Sequence, residues 1–424
     1  MERTSRIEGF YKLSVSERLK IVKDFAGLTS EEAMTLTGSG GLDLSIPDKM
    51  IENAVGSFAL PLGIAVNFRI NDRDYLIPMA TEEPSVVAAA SNAAKMARER
   101  GGFWTSSTAP VMIGQIQLTD IKDPSRAKHV ILEKKQTILD LANKQDPMLI
   151  KLGGGARDIE VRVVRGQQGP MVILHLLVDV RDAMGANAVN TMAEAVAPLV
   201  EDISGGRVRL RILSNLATHR LARARAVWSK DAIGGEGVVD GVIEAYLFAD
   251  ADPYRCATHN KGIMNGIDAV ILATGNDTRA IEAGAHSFAS RSGQYKPLTI
   301  FEKTPDGDLV GTIEIPMAVG LVGGATKVHP TAKACIKVLG LKSASELGEV
   351  AAAVGLAQNF AALRALATVG IQQGHMRLHA KNIAASAGCP EELLEKVCEI
   401  MVSEKRIRMD RAQELVEELK RKSQ

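Results

Sequence analysis

The period of hydrophobic and polar positions changes several times along the chain, and each change marks an element. Near the start, Ser14-Val15-Ser16-Glu17 and Thr29-Ser30-Glu31-Glu32 each place a hydroxyl three residues before a glutamate. That spacing predicts capping boxes that open two short helices. Gly38-Ser39-Gly40-Gly41 then interrupts the chain, and the alternation from Phe58 to Pro78 predicts strands with Asn71-Asp72 as their turn. Glu83-Pro84 reads as the start of an Ala-rich helix, with Pro84 in the first helical position and Gly101-Gly102 as the stop.

A different rhythm begins near Ala109. Val111–Thr119 is strand-like, Asp123-Pro124 starts a helix, and Ala127, Ile131, Ile138 and Ala142 keep helical spacing. Ile159, Val161 and Val163 alternate with charges, and Gln167-Gln168-Gly169-Pro170 turns the chain into Met171–Val180. A helix with Val189, Met192, Val196 and Leu199 on one face follows, then Val208, Leu210 and Ile212 alternate with three arginines. The order β-α-β-β-α-β is that of a ferredoxin-like unit. The expected fold is therefore α+β, with a small unit (109–215) inserted into a large mixed helix/sheet domain (1–108 and 216–373). Charged amphipathic helices after Gly374, with Leu393, Leu394, Val397 and Ile400 on one face, predict a third unit at 374–424.

Between Asp252 and Gly266 the chain gathers Arg255, His259, Asn260, Lys261 and Asn265 around two glycines. This reads as a polar loop entering an apolar strand, Ile267–Ala273, which ends in Gly275-Asn276-Asp277. Cationic and amide groups of this kind point to a buried polar site. A lone lysine is usually a solvated charge, but these neighbours predict burial for Lys261. Asp277 precedes a helix and reads equally well as an N-cap or as a partner for Lys261. Glu83, and Glu82 beside it, also stand before a helix, where the dipole favours a carboxylate.

His375 and His379 share a helical face, yet no HExxH glutamate and no third ligand accompany them, so no metal is expected. No GxGxxG is present either. Asp182-Ala183-Met184-Gly185-Ala186-Asn187 does lie between a strand and a helix, where N–H groups can receive a pyrophosphate. The turns Gly153-Gly154-Gly155 and Gly323-Gly324 could serve the same ligand or only connect elements.

A net charge of +1 over 424 residues argues against nucleic-acid binding. The four cysteines show no CxxC spacing and fit a reducing, cytoplasmic compartment. The chain lacks a signal-peptide core, and no apolar run approaches the roughly 20 residues of a membrane helix. No membrane association is expected.

Four segments, in this order, resemble the 3-hydroxy-3-methylglutaryl-coenzyme A reductases: Thr81–Ser85, Asp182–Asn187, Arg255–Asp277 and Gly374-His375-Met376. The resemblance covers nearly the whole chain and is to the soluble class II form. It implies reduction of the thioester to mevalonate and free coenzyme A by two hydride transfers from a nicotinamide cofactor. The alternatives are a mevalonate oxidase working in catabolism and a coenzyme A-binding protein without turnover.

By resemblance, Lys261 stabilises the oxyanion, Asp277 holds it, Glu83 is the general acid and His375 protonates the departing thiolate. Ser85, Arg255 and Asn265 are assigned to the carboxylate and hydroxyl end of the substrate. Asp182, Met184, Gly185 and Asn187 are assigned to the dinucleotide. Some relatives carry a basic coenzyme A contact where this chain has Tyr11, which leaves Lys12 as the candidate. Where some relatives carry a cysteine after the triple glycine, this chain has Ala156. Asp146 stands where some NADH-using relatives carry an aspartate, so NADH is expected over NADPH. The family's subunit-shared sites imply a homodimer or a larger assembly of dimers, and the segment after Gly374 is expected to act as a flap.

Overall fold

The computed structural model describes residues 4–37, 42, 45–368 and 380–422. The expectations placed on Gly38–Gly41, Gly374, His375, Met376 and His379 fall outside them. A six-stranded sheet has the order β2-β1-β3-β8-β10-β9. Its strands are β1 (Leu62–Ile70), β2 (Arg73–Ala80), β3 (Phe103–Ser107), β8 (Leu221–Trp228), β9 (Thr299–Lys303) and β10 (Leu309–Pro316). All its neighbours pair antiparallel except β1 and β3. Asn71 and Asp72 both take positive φ (46° and 61°), which closes the β1–β2 hairpin in the hand that matches strand twist.

The four-stranded sheet runs β5-β6-β4-β7, with β4 (Val111–Thr119), β5 (Gly155–Gly166), β6 (Gly169–Asp179) and β7 (Arg207–Ser214). All its pairs are antiparallel, the topology of a split βαβ unit. The predicted helical stripe Ala127, Ile131, Ile138, Ala142 is buried, but the helix breaks at Lys134 into Pro124–Glu133 and Lys135–Asn143. Helix Ala186–Ser204 lies close on this sheet. A Cβ at Gly114 would stand 2.9 Å from the Val189 side chain.

Helix Ala344–Ala367 runs through the core, and its Phe360 stacks on Trp228 with ring centroids 4.1 Å apart. Its run of alanines and leucines corrects the expectation that no segment could span a bilayer. It is long and apolar enough, but 67% of its apolar window is buried inside the fold. A helix apolar on all sides is explained by burial in a core. Helices Glu391–Ser403 and Met409–Lys422 form a separate core around Val397, Met401, Ala412 and Leu415.

Two local readings are corrected. Pro84 does not open the Ala-rich helix, which begins two residues later as Val86–Ala97. Ser85 precedes it at φ +74°, a left-handed conformation uncommon for a side chain of this kind. The larger correction concerns Asp252–Ala273, which is neither loop nor strand. It is one helix of 21 residues, Pro253–Ala273.

Candidate active site

The helix Pro253–Ala273 has a clear start: the Asp252 side chain accepts the Arg255 N–H at 2.8 Å, and Pro253 follows it in the first turn. Cys256, Asn260, Ile263, Ile267 and Val270 bury one face. Arg255, Thr258, Lys261 and Asn265 fall on the other and line a cavity of ≈ 840 Å³. Gly262 and Gly266 lie inside the helix, where each costs about 1 kcal/mol relative to alanine. Gly266 has a packing reason. A Cβ there would stand 2.9 Å from the Gln358 Cβ and 3.1 Å from the Val354 carbonyl, so the glycine lets the helix approach Ala344–Ala367.

Across the cavity, the turn after β2 supplies Glu83 and Ser85. Lys261 Nζ donates to Glu83 Oε2 at 2.7 Å. The expectation of a buried lysine is not met, because its side chain is 60% exposed in the single chain. Burial lowers the Arg255 pKa, but a guanidinium remains charged at neutral pH. Its head has no ion pair among the described residues.

His259 is neutral. Burial, and then Arg255, push its pKa down to about 3. Its Nε2 meets Thr299 Oγ1 at 2.7 Å, and Thr299 donates to Asn359 Oδ1 at 2.8 Å, which ties the helix to β9 and to the core helix. Two cations facing one carboxylate leave the cavity positive, suited to an anionic substrate.

A second cavity, of ≈ 690 Å³, is lined by Asp146, Met184, Gly185, Asn187, Asp277 and Arg279, among others. Gly185 has φ +103° and stands at the N-terminus of Ala186–Ser204, where a Cβ would come within 2.6 Å of Val180. Gly323 and Gly324 also line this cavity, with positive φ and open space where a Cβ would stand. Helix N–H groups, a side-chain amide and glycines with room beside them fit the pyrophosphate of a dinucleotide.

Residues 14–380 match the family model described as hydroxymethylglutaryl-coenzyme A reductase. The chain belongs to this family. It is 63% identical over 417 residues to the 3-hydroxy-3-methylglutaryl-coenzyme A reductase of Archaeoglobus fulgidus, covering 98% of this chain and 95% of that one. A probable reductase of Borreliella burgdorferi is 38% identical over 384 residues, covering 89% and 86%. Among solved structures, the class II reductase of Streptococcus pneumoniae bound to NADPH in open conformations is similar, with a TM-score of 0.82 and 42% identity. That match covers 96% of this chain and 100% of the other. The protein is a hydroxymethylglutaryl-coenzyme A reductase, an NAD(P)H-dependent oxidoreductase that reduces the thioester to mevalonate.

Within the chain the expected residues divide between the two cavities. Glu83, Ser85, Arg255, Lys261 and Asn265 come together in one. Asp277 lies on the other and does not flank Lys261. Lys261 lies twelve residues before the helix end at Ala273, about 18 Å along the axis. Asp277 instead caps Thr278–Ala289, accepting the Ala280 N–H at 3.1 Å, with Arg279 3.5 Å away. Within the chain, Glu83 and Asp277 therefore do not meet on Lys261.

Asp182 does not line the second cavity; its carboxylate accepts the Ala344 N–H at 2.8 Å. Lys12 sits in an exposed turn beside Tyr11 and lines neither cavity. Gly154 and Gly155 serve packing, since a Cβ on Gly154 would meet the Asp179 carbonyl at 2.7 Å.

Sequence reasoning missed Thr258, which helical spacing from Arg255 would have found. It also missed Arg220, which has no motif. Only 4% exposed, Arg220 donates to the carbonyls of Ala183 and Met184 at 3.1 Å each, and to that of Val319. Burial pulls its pKa down to about 10, so it stays charged and holds the Ala183–Met184 loop against the Val319 segment. Arg220→Met leaves those carbonyls unsatisfied. It should lower stability by about 2–4 kcal/mol and raise the KM for the nicotinamide cofactor more than that for the thioester. Denaturant unfolding and initial rates check both.

Proposed function

We propose that Lys261 and Glu83 form the reaction centre of this reductase, and the 2.7 Å contact between them carries the reading. The reduced nicotinamide supplies hydride to the carbonyl carbon. Lys261 places its ammonium on the carbonyl oxygen, where negative charge grows in both reduction steps. Glu83 holds that ammonium and passes a proton to the alkoxide. Arg255 pairs with the substrate carboxylate in two-point geometry, and Asn265 and Ser85 take the hydroxyl end. His375 protonates the coenzyme A thiolate. The two steps consume two hydrides and two protons and release one free thiol. Biosynthetic reduction is the proposed direction.

Asp277 enters the site from a second copy of the chain, so the working enzyme is a homodimer or an assembly of dimers. The separation of Asp277 from Lys261 within one subunit supports this. Residues 1–108 with 216–373 form the substrate domain and 109–215 the dinucleotide domain, a division consistent with the two sheets. The separately cored C-terminal helices belong to a flap over 374–424. Lys12 is the proposed coenzyme A contact. The setting is the cytoplasm, and the four cysteines form no disulfide.

NADH is the proposed cofactor. Asp146 caps the turn Pro147–Lys151 through the Leu149 N–H at 2.9 Å, so one oxygen is occupied and the other is free for ribose hydroxyls. A 2′-phosphate would meet that charge. The second reading, NADPH, rests on Arg279, whose exposed guanidinium lines the same cavity. Wild type should show higher kcat/KM with NADH, and Asp146→Ala should shift the ratio toward NADPH by about 1 kcal/mol or more. Wild-type preference for NADPH, or an unmoved ratio, would remove the assignment.

A further inference from the structure

The stretch of helix that carries Lys261 and Asn265 contains both interior glycines, so its rigidity has to come from outside. A chain of polar side chains spans it. Asp268 shares a hydrogen bond with Glu282 on the helix Thr278–Ala289. Glu282 Oε2 meets His286 Nε2 at 2.7 Å, and His286 Nδ1 meets Tyr295 Oη at 2.7 Å. Tyr295 stands next to Lys296 in the chain, and Asn260 holds that segment: its amide donates to the Lys296 carbonyl and its oxygen accepts the Leu298 N–H, at 3.0 Å each. The chain thus leaves the helix at Asp268 and returns to it eight residues earlier, next to Lys261. It also joins the Lys261 helix to the helix capped by Asp277.

Ionised carboxylates only accept hydrogen bonds, so a bond between two of them requires a proton. The other oxygen of Asp268, Oδ1, is buried without a partner. A neutral carboxyl bears that far better than an anion. His286 donates through Nε2 to Glu282, which leaves Glu282 the charged member and Asp268 the acid.

We infer that Asp268 is a positioning residue, which donates its proton to Glu282 and closes a bracket that holds the Lys261 segment in register with Asp277. The inference rests on the reading of Lys261 and Asp277 given above. Burial first, then the hydrogen bond and charge of Glu282, raise the Asp268 pKa to about 8. Glu282 is the charged group that acts on Asp268. His286 in turn lowers the Glu282 pKa. Loss of the proton sets two carboxylates against each other and opens the bracket.

The test is Asp268→Asn and Asp268→Ala in the full chain, with kcat, KM and melting temperature followed from about pH 5 to 10. Asparagine keeps the shape and a permanent donor. Its kcat near neutrality should stay within about threefold of wild type, and its alkaline fall in kcat should move up by roughly one pH unit or more. Alanine should lower kcat about tenfold, with substrate KM little changed.

The linkage gives the sign for stability. Between the unfolded carboxyl pKa and about 8, the native state binds the extra proton, so this contribution is lost as pH rises through that window. The melting-temperature advantage of Asp268→Asn should therefore grow up to about pH 8 and then level. An alkaline limb unmoved by asparagine, or full kcat in the alanine variant, would overturn the bracket. If Lys261→Ala stays active, the site reading fails instead, and the melting profile still judges the bracket by itself.

Discussion

Lys261→Ala should lower kcat at least ~10²-fold for the thioester and for mevaldehyde alike. In both steps hydride attack converts a carbonyl to an oxyanion, and the ammonium is the cationic donor proposed to meet it. Arg255 is assigned to the substrate carboxylate in the proposed arrangement, and His259 is neutral with its Nε2 on Thr299. Neither can take over. The fold should survive, because the Lys261 side chain is mostly exposed and is not part of the apolar packing. Far-UV circular dichroism and a melting curve check that point; loss of reduced-nicotinamide absorbance gives the rate. Arg255→Ala offers the contrast: it removes binding present in ground and transition states alike, so KM for the thioester should carry most of its loss. Near-normal turnover by a folded Lys261→Ala protein would remove the proposed centre.

The four-stranded sheet was legible in the chain because each strand alternates and each helix keeps its stripe. Two misses there, the break at Lys134 and the short helix Pro147–Lys151, are local features that periodicity cannot register. The helix Pro253–Ala273 was misread for a physical reason. Two glycines and a crowd of polar residues are loop signals, and only the 3.6-residue spacing of Cys256, Asn260, Ile263, Ile267 and Val270 contradicts them. Tertiary packing decided the outcome, since Gly266 is needed where two helices touch.

Glu83, Ser85, Arg255, Lys261 and Asn265, which motif resemblance singled out, line one cavity. The resemblance could not tell that Asp277 lies on another, because adjacency in a motif says nothing about which cavity a side chain lines. Arg220 was invisible for a related reason. Its partners are backbone carbonyls at Ala183, Met184 and Val319, and carbonyl positions leave no residue-type signature.

The central claim is a centre built on Lys261 and Glu83 and completed by the partner copy's Asp277 face. Mixed subunits test it most directly. Lys261→Ala and Asp277→Ala chains, each with its own affinity tag, are co-expressed and the doubly tagged hybrid is isolated. Each parent alone should retain no more than about 1% of wild-type kcat. In the hybrid, one site receives both wild-type residues and the other receives both defects, so about half of wild-type activity should return. A hybrid as inactive as its parents would place Lys261 and Asp277 in the same subunit's site and contradict the account.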